Sequence, residues 1–179
     1  VPPAWAVANP PLEFEITFDS TLRAEPFTGR VLIFLSENRL GEPRQEHSWF
    51  NEVPIFSADT KDWKPGEPLS VRDPRGSPWS LCDLPKKKYR IQAVMHTSPD
   101  LPHSGTARGN LCSRPVRQML DPSAGGVVKL KIADRIDDPE PPPPNSRATP
   151  VTFRSECLSK FHGRDITLHA MVIPPAEYE

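Results

Sequence analysis

Proline recurs so often in this chain that it decides which backbone can form. Twenty-four of the 179 residues are proline, about one in every seven or eight positions. Inside a helix each would remove a hydrogen bond and clash with the preceding turn, at a cost of about 3 kcal/mol. Helices must therefore fit proline-free windows, the useful ones being 12–25, 27–42, 86–98, 123–138 and 151–173. Most of these carry alternating or β-branched apolar runs, not stripes of 3.6-residue period, so a mostly β fold is expected.

Leu12, Phe14, Ile16 and Phe18 alternate with polar residues and predict a strand with one core-facing side. Arg30 to Ser36 is apolar on both sides, the pattern of a central strand covered on both faces. Short strands are predicted at 53–57 and 69–72, within a loop-rich stretch from 37 to 85. The clearest corner lies at Leu84-Pro85-Lys86-Lys87-Lys88-Tyr89, which leads into the alternating Tyr89, Ile91, Ala93 and Met95. A tyrosine at such a strand entrance sends its hydroxyl back to the corner backbone in immunoglobulin-like sandwiches. The fold class expected is an immunoglobulin-like or fibronectin-III-like antiparallel β-sandwich with long loops. Further strands are predicted at 111–120 and 127–132.

Residues 1–11 hold four prolines and read as an extended arm, and 12–136 as the sandwich domain. Pro141 to Pro144, within a 137–150 linker, make a stiff polyproline spacer that cannot enter a sheet interior. Beyond it, 151–179 supplies one further strand, a turn at Gly163 and a strand with apolar Ile166, Leu168, Ala170 and Val172, and with Met171 and Ile173 on its second side. Such a strand needs covering on both faces. His169 is expected to face a domain junction there.

Charge and composition narrow the function. Lys and Arg total 22 against 23 Asp and Glu, so no basic field exists to attract nucleic acid. The longest apolar run, Val31 to Leu35, falls far short of the ~20 residues of a membrane span. The chain begins at Val1 without methionine, a pattern shared by signal-peptide removal and by other trimming of an N-terminus.

No catalytic or metal constellation emerges. The nearest approach to G-x-S-x-G is Gly105-Thr106-Ala107-Arg108-Gly109, where alanine stands in the nucleophile position. His47, His96, His103, His162 and His169 include no HxH or HExxH pair, and Asp134, Asp137 and Asp138 lack the spacing of a calcium loop. Cys82, Cys112 and Cys157 form no CxxC, so no zinc site is expected. They allow one disulfide and one free thiol, or three buried inert thiols. In an oxidising compartment the pair Cys82–Cys112 is favoured, since Cys157 lies beyond the spacer. No cofactor is indicated. Trp49, Trp63 and Trp79 sit in the loop-rich stretch and serve either as a stacking platform for carbohydrate or a protein partner, or as plugs closing one end of the core.

Several segments taken together resemble a known group. These are Thr28-Gly29-Arg30-Val31, Pro54-Ile55-Phe56 with Trp63-Lys64-Pro65-Gly66, Leu84-Pro85 through Tyr89-Arg90-Ile91-Gln92-Ala93, Gly109-Asn110-Leu111 with Ser113, Leu120-Asp121-Pro122-Ser123-Ala124-Gly125-Gly126, and Leu158-Ser159-Lys160-Phe161-His162-Gly163-Arg164. Their order is similar to the N-terminal, non-catalytic region of secreted bacterial esterases related to enterochelin-esterase-like proteins. Val172-Ile173-Pro174-Pro175-Ala176-Glu177-Tyr178 resembles the lead into the hydrolase sheet of that family. The resemblance implies an α/β-hydrolase domain of the same polypeptide after Glu179, with every catalytic group in it. It also implies a secreted or periplasmic location, and no esterase activity in these 179 residues. The alternative is an independent carbohydrate- or protein-binding module built on the three tryptophans.

Overall fold

The computed structural model describes residues 11–47, 51–72, 74–98, 101, 103–137 and 147–175. The chain divides into two compact units, Val1–Asp138 and Pro139–Glu179. The 1–11 arm, apart from Pro11, and most of the 137–150 linker lie outside the described residues.

The first unit is a β-sandwich. Its strands are β1 (Leu12–Phe18), β2 (Phe27–Ser36), β3 (Ile55–Trp63), β4 (Leu69–Val71), β5 (Arg75–Ser77), β6 (Lys87–Met95), β7 (Leu111–Ser113), β8 (Val116–Leu120) and β9 (Gly126–Arg135). Hydrogen bonding runs in the order β4-β1-β9-β7-β6-β2-β3-β5, with β8 also on β6. Short β7 links two layers, pairing with β6 on one side and β9 on the other. One layer is thus β5-β3-β2-β6-β8 and the other β4-β1-β9. A short helix, α1 (Pro43–Glu46), follows β2 and starts on proline, whose missing N–H is not needed in a first turn.

The inner faces of both layers enclose one core. Leu12, Phe14, Ile16 and Phe18 of β1 join Val128, Leu130 and Ile132 of β9 against Val31, Ile33, Phe56, Tyr89, Ile91 and Met95 of the other layer. Two aromatic pairs cross between the layers, Phe14 with Phe56 at 6.0 Å and Phe18 edge-on to Trp63 at 4.7 Å. Burying each such side chain contributes about 1.5–3 kcal/mol. The expected wholly antiparallel arrangement is corrected at one place. β1 runs parallel to β9, from Leu12 opposite Gly126 to Phe18 opposite Ile132. That register sets the apolar sides of both strands on one face, which is what specifies strand pairing wherever a face is buried.

β3 is longer than the 53–57 segment expected, because its outward residues Asp59 and Lys61 are polar and solvated while Trp63 returns to the core. At the corner, the buried Tyr89 hydroxyl donates to the Pro85 carbonyl at 3.0 Å. The exposed Lys86 and Lys87 pair with Asp121 and Glu37, each at 2.7 Å.

The second unit contains β10 (Thr149–Arg154), α2 (Glu156–His162) and β11 (Thr167–Val172). β10 and β11 pair antiparallel, so Thr149 and Pro150 belong to a strand and not to the linker. Proline is tolerated there because, among the described residues, the sheet has two strands, each with an unpaired edge. The helix is a departure from the strand-and-turn reading. Ser155 caps it by accepting the Leu158 N–H, and Gly163 ends it in the left-handed region at φ 66°.

Candidate functional site

The outer face of the β3-β2-β6 layer carries most of the unexplained chemistry. Residues directly paired on neighbouring strands share a face. Leu32 and Phe34 on β2, Val94 on β6 and Cys112 on β7 therefore project away from the main core, and with Ile136 they form a second apolar cluster joined by Ile55. α1 and the 103–106 turn cover it. Arg44 reaches from α1 to the Gly105 carbonyl at 2.9 Å, and Gln92 accepts from the Arg44 main-chain N–H while donating to Glu42 and to the Ser113 carbonyl. Gly105 packs so tightly that a Cβ there would lie 2.1 Å from the Arg44 carbonyl oxygen. Between this cover and the sheet is a hollow of about 280 Å³ floored by Leu32, Phe34 and Ile55, with His47 and His103 at its margin.

Further along the same face the surface becomes polar. Arg30 stands opposite Asp59 of β3, and the His96 main-chain N–H donates to the Arg30 carbonyl at 3.0 Å. Asp59 of β3, Arg30 of β2 and His96, just past the end of β6, thus form a row, next to a hollow of about 590 Å³ that Arg23, Phe27, Thr28, Gly29, Thr60 and Thr97 complete. Arg30 holds Asp59 in a two-pronged pair, 2.8 Å from Nε and 3.2 Å from the second nitrogen. That guanidinium keeps the Asp59 carboxyl below its ordinary pKa. The β2–β3 ladder is irregular beside it, between Phe27 and Gly29, where the Asp62 N–H donates to the Thr28 hydroxyl. Bulges of this kind re-aim side chains and are frequent beside functional sites.

The residues singled out from the sequence fall in separate places. Trp63 is 4% exposed, its indole N–H donating to the Glu67 carbonyl at 2.8 Å, so it is a plug of the core and not a stacking surface. Trp79 is 38% exposed, and Trp49 lies outside the described residues. The expected Cys82–Cys112 bridge is not formed. All three cysteines are free, Cys82 exposed in a 3-10 turn and Cys112 buried, with burial pushing its thiol pKa up. A buried β-strand thiol and an exposed turn thiol have no geometry in common here, since Leu81 beside Cys82 packs into the main core and Cys112 into the cluster on the opposite face. Among the described residues no group of three metal-binding side chains gathers, and no helix is long and apolar enough to cross a membrane.

In the second unit the cross-strand pairs Phe153–Leu168, Val151–Ala170 and Thr149–Val172 place one apolar face on the β10-β11 hairpin. All six residues are exposed. Pro150, Thr152, Arg154, Thr167, His169 and Met171 make the other face, so the strand is apolar on one side and mixed on the other, not apolar on both. Ile166 is buried, tied to the helix by its N–H to the Ser159 hydroxyl at 2.9 Å, and Ile173 lies just past the strand, exposed. Phe161 of α2 is 83% exposed.

In the sequence His96 reads as an ordinary surface or strand histidine. Its one signal is its place directly after the β6 alternation, where a core-facing run ends at a strand terminus. Comparison with protein families, with curated proteins and with solved structures finds no match.

Proposed function

We propose that this chain is the non-catalytic N-terminal accessory region of a larger secreted or periplasmic serine esterase. In this reading the sandwich stands beside an α/β-hydrolase domain of the same polypeptide and helps shape substrate access. The observation that carries the proposal is the β10-β11 hairpin, with Val151, Phe153, Leu168, Ala170 and Val172 on one uncovered face. A two-stranded hairpin is marginal in water by itself, and covering that face adds about 1.5–3 kcal/mol for each large side chain. The hairpin lies next to the segment that resembles the lead into a hydrolase sheet, so the catalytic domain is the partner the chain would supply to itself. His169, opposite Thr152 on the mixed face, projects from the side away from that contact, so the hydrolase domain would meet the apolar residues and not this histidine.

The test uses a polypeptide extended through the downstream reading frame, assayed with a short-chain aryl ester. The extended protein should turn over, the 179-residue chain should not exceed a buffer control, and Phe153→Asp with Leu168→Asp should raise KM or release the hydrolase domain to proteolysis. Absence of a nucleophile-elbow serine in the downstream frame would overturn the proposal. Turnover by the 179-residue chain that a serine-directed inhibitor abolishes would do the same.

A further inference from the structure

Cations on the sheet faces of the first unit are mostly answered by carboxylates on a neighbouring strand. On and beside the β4-β1-β9 layer, Arg72 pairs with Glu13, Lys129 with Glu15 and Lys131 with Asp19, and on the other layer Arg30 pairs with Asp59. The β6-β8 pair departs from this. Arg90 stands directly opposite Arg117, and Lys88 opposite Met119. Alternation puts all four on the outer face, away from the core-facing Tyr89 and Ile91. None of the three cations has a carboxylate partner among the described residues, and the Arg90 guanidinium donates instead to the Arg39 carbonyl at 2.7 Å. Glu37 is taken by Lys87, and Glu46 accepts from Ser36 and Asn38. Like charges directly opposite each other on paired strands are unfavourable, so this face is incomplete without an anion.

The strand that carries Arg117 is also an edge. β8 pairs with β6 on one side, and among the described residues nothing pairs with its other side. Such an edge holds a row of main-chain N–H and C=O groups open to a further strand. Arginine discourages a second copy from adding there, because self-pairing would bring two basic rows together. The same charge favours an edge partner of opposite sign. A lipid surface or an anionic glycan would meet the cations and leave the edge groups unpaired, whereas an extended acidic peptide meets both. Met119, 53% exposed and adaptable in shape, offers an apolar contact two residues from Arg117 on the same face. We propose that the β8 edge is a docking site for an extended acidic segment of a partner protein. The segment adds as a further strand, with carboxylates turned toward Arg117 and the Arg90 behind it and an apolar side chain beside Met119. Every residue of the site belongs to the first unit, so the proposal is independent of the hairpin and of the hydrolase reading.

The 179-residue chain labelled with nitrogen-15 would be titrated with the capped peptide Thr-Glu-Val-Glu-Val-Glu-Thr to about 10 mM, ten times a Kd of about 1 mM. The same peptide with lysine for glutamate is the charge control. Phosphatidylglycerol vesicles and a heparin hexasaccharide are anionic probes without a strand to pair. The acidic peptide should shift the amides of residues 116–120, and hydrogen exchange of the outward-facing ones should slow about tenfold at saturation. Arg117→Glu should weaken the acidic peptide more than tenfold and let the lysine peptide bind. Should that variant unfold, Arg117→Gln decides, with a severalfold weakening expected. The proposal is overturned if the acidic peptide leaves the 116–120 amides unmoved, or if it shifts them without slowing their exchange. It is equally overturned if both peptides bind alike, if only the vesicles or heparin bind, or if the Arg117 variants bind as the unaltered chain does.

Discussion

Replacing Tyr89 by phenylalanine removes one oxygen from a ring that is only 1% exposed, and its consequences can be worked through. The ring carbons stay, so no cavity of consequence opens and the apolar burial is unchanged. What is lost is the hydrogen bond to the Pro85 carbonyl at 3.0 Å. A neutral intramolecular hydrogen bond contributes about 0.5–1.5 kcal/mol net, and a carbonyl left unsatisfied in a dry site would add about 1–3 kcal/mol. Pro85 is half-buried, so water reaches its carbonyl and offsets most of the second cost. The expected loss is about 1–1.5 kcal/mol, or a fall in Tm of about 3–5 °C. Urea unfolding of both proteins at neutral pH measures it, with an unchanged m-value showing that the native and unfolded surfaces are the same. Alkaline pH gives a second reading. Burial raises the Tyr89 pKa above its ordinary 10.0, so its contribution is full below that value and is lost as pH climbs through the folded value. The difference between the two proteins should therefore shrink at high pH. A stability change under about 0.3 kcal/mol would refute the view that this corner bond ties β6 to its turn.

Other substitutions probe the remaining contacts. Trp63→Ala should cost about 3–5 kcal/mol by calorimetry or denaturation. Trp79→Ala, on the surface, should change stability by less than about 0.5 kcal/mol. Gly105→Ala should cost about 1–3 kcal/mol, since the new methyl would strike the Arg44 carbonyl, and hydrogen exchange should rise first in α1 and the 103–106 turn. Asp121, paired with Lys86 and accepting from Ser123 and Ala124, is held well below its ordinary 3.8, so its stabilising effect is present above that value and lost as pH falls through the folded one. Asp121→Asn should flatten the acid limb of the stability profile, which pH-dependent denaturation measures. A thiol reagent should modify Cys82 and Cys157 quickly and Cys112 only on unfolding, as mass mapping would show.

Much of the strand inventory is legible in the amino-acid sequence, for a definite reason. Alternation in Leu12 to Phe18, two-sided apolarity in Val31 to Leu35 and a tyrosine after a proline corner are local patterns, each set by the two-residue period of a strand or the fixed φ of proline. Proline density excludes long helices on the same local grounds. The helix α2 is hidden because its end signals, Ser155 and Gly163, are equally the residues of turns, and the helix between them is only seven residues long. Pairing partners are not legible. Whether β1 lies parallel to β9 depends on which distant strand offers a matching apolar face, a fact that no window of neighbouring residues contains. The same holds for the tryptophans: Trp63 and Trp79 occupy similar proline-rich surroundings, and only the packing of Phe18 against one of them makes it a plug. The polar row Asp59–Arg30–His96 draws on three separate windows of the chain. Residues so far apart become neighbours only when hydrogen-bond register sets them side by side, so that row belongs to the tertiary structure.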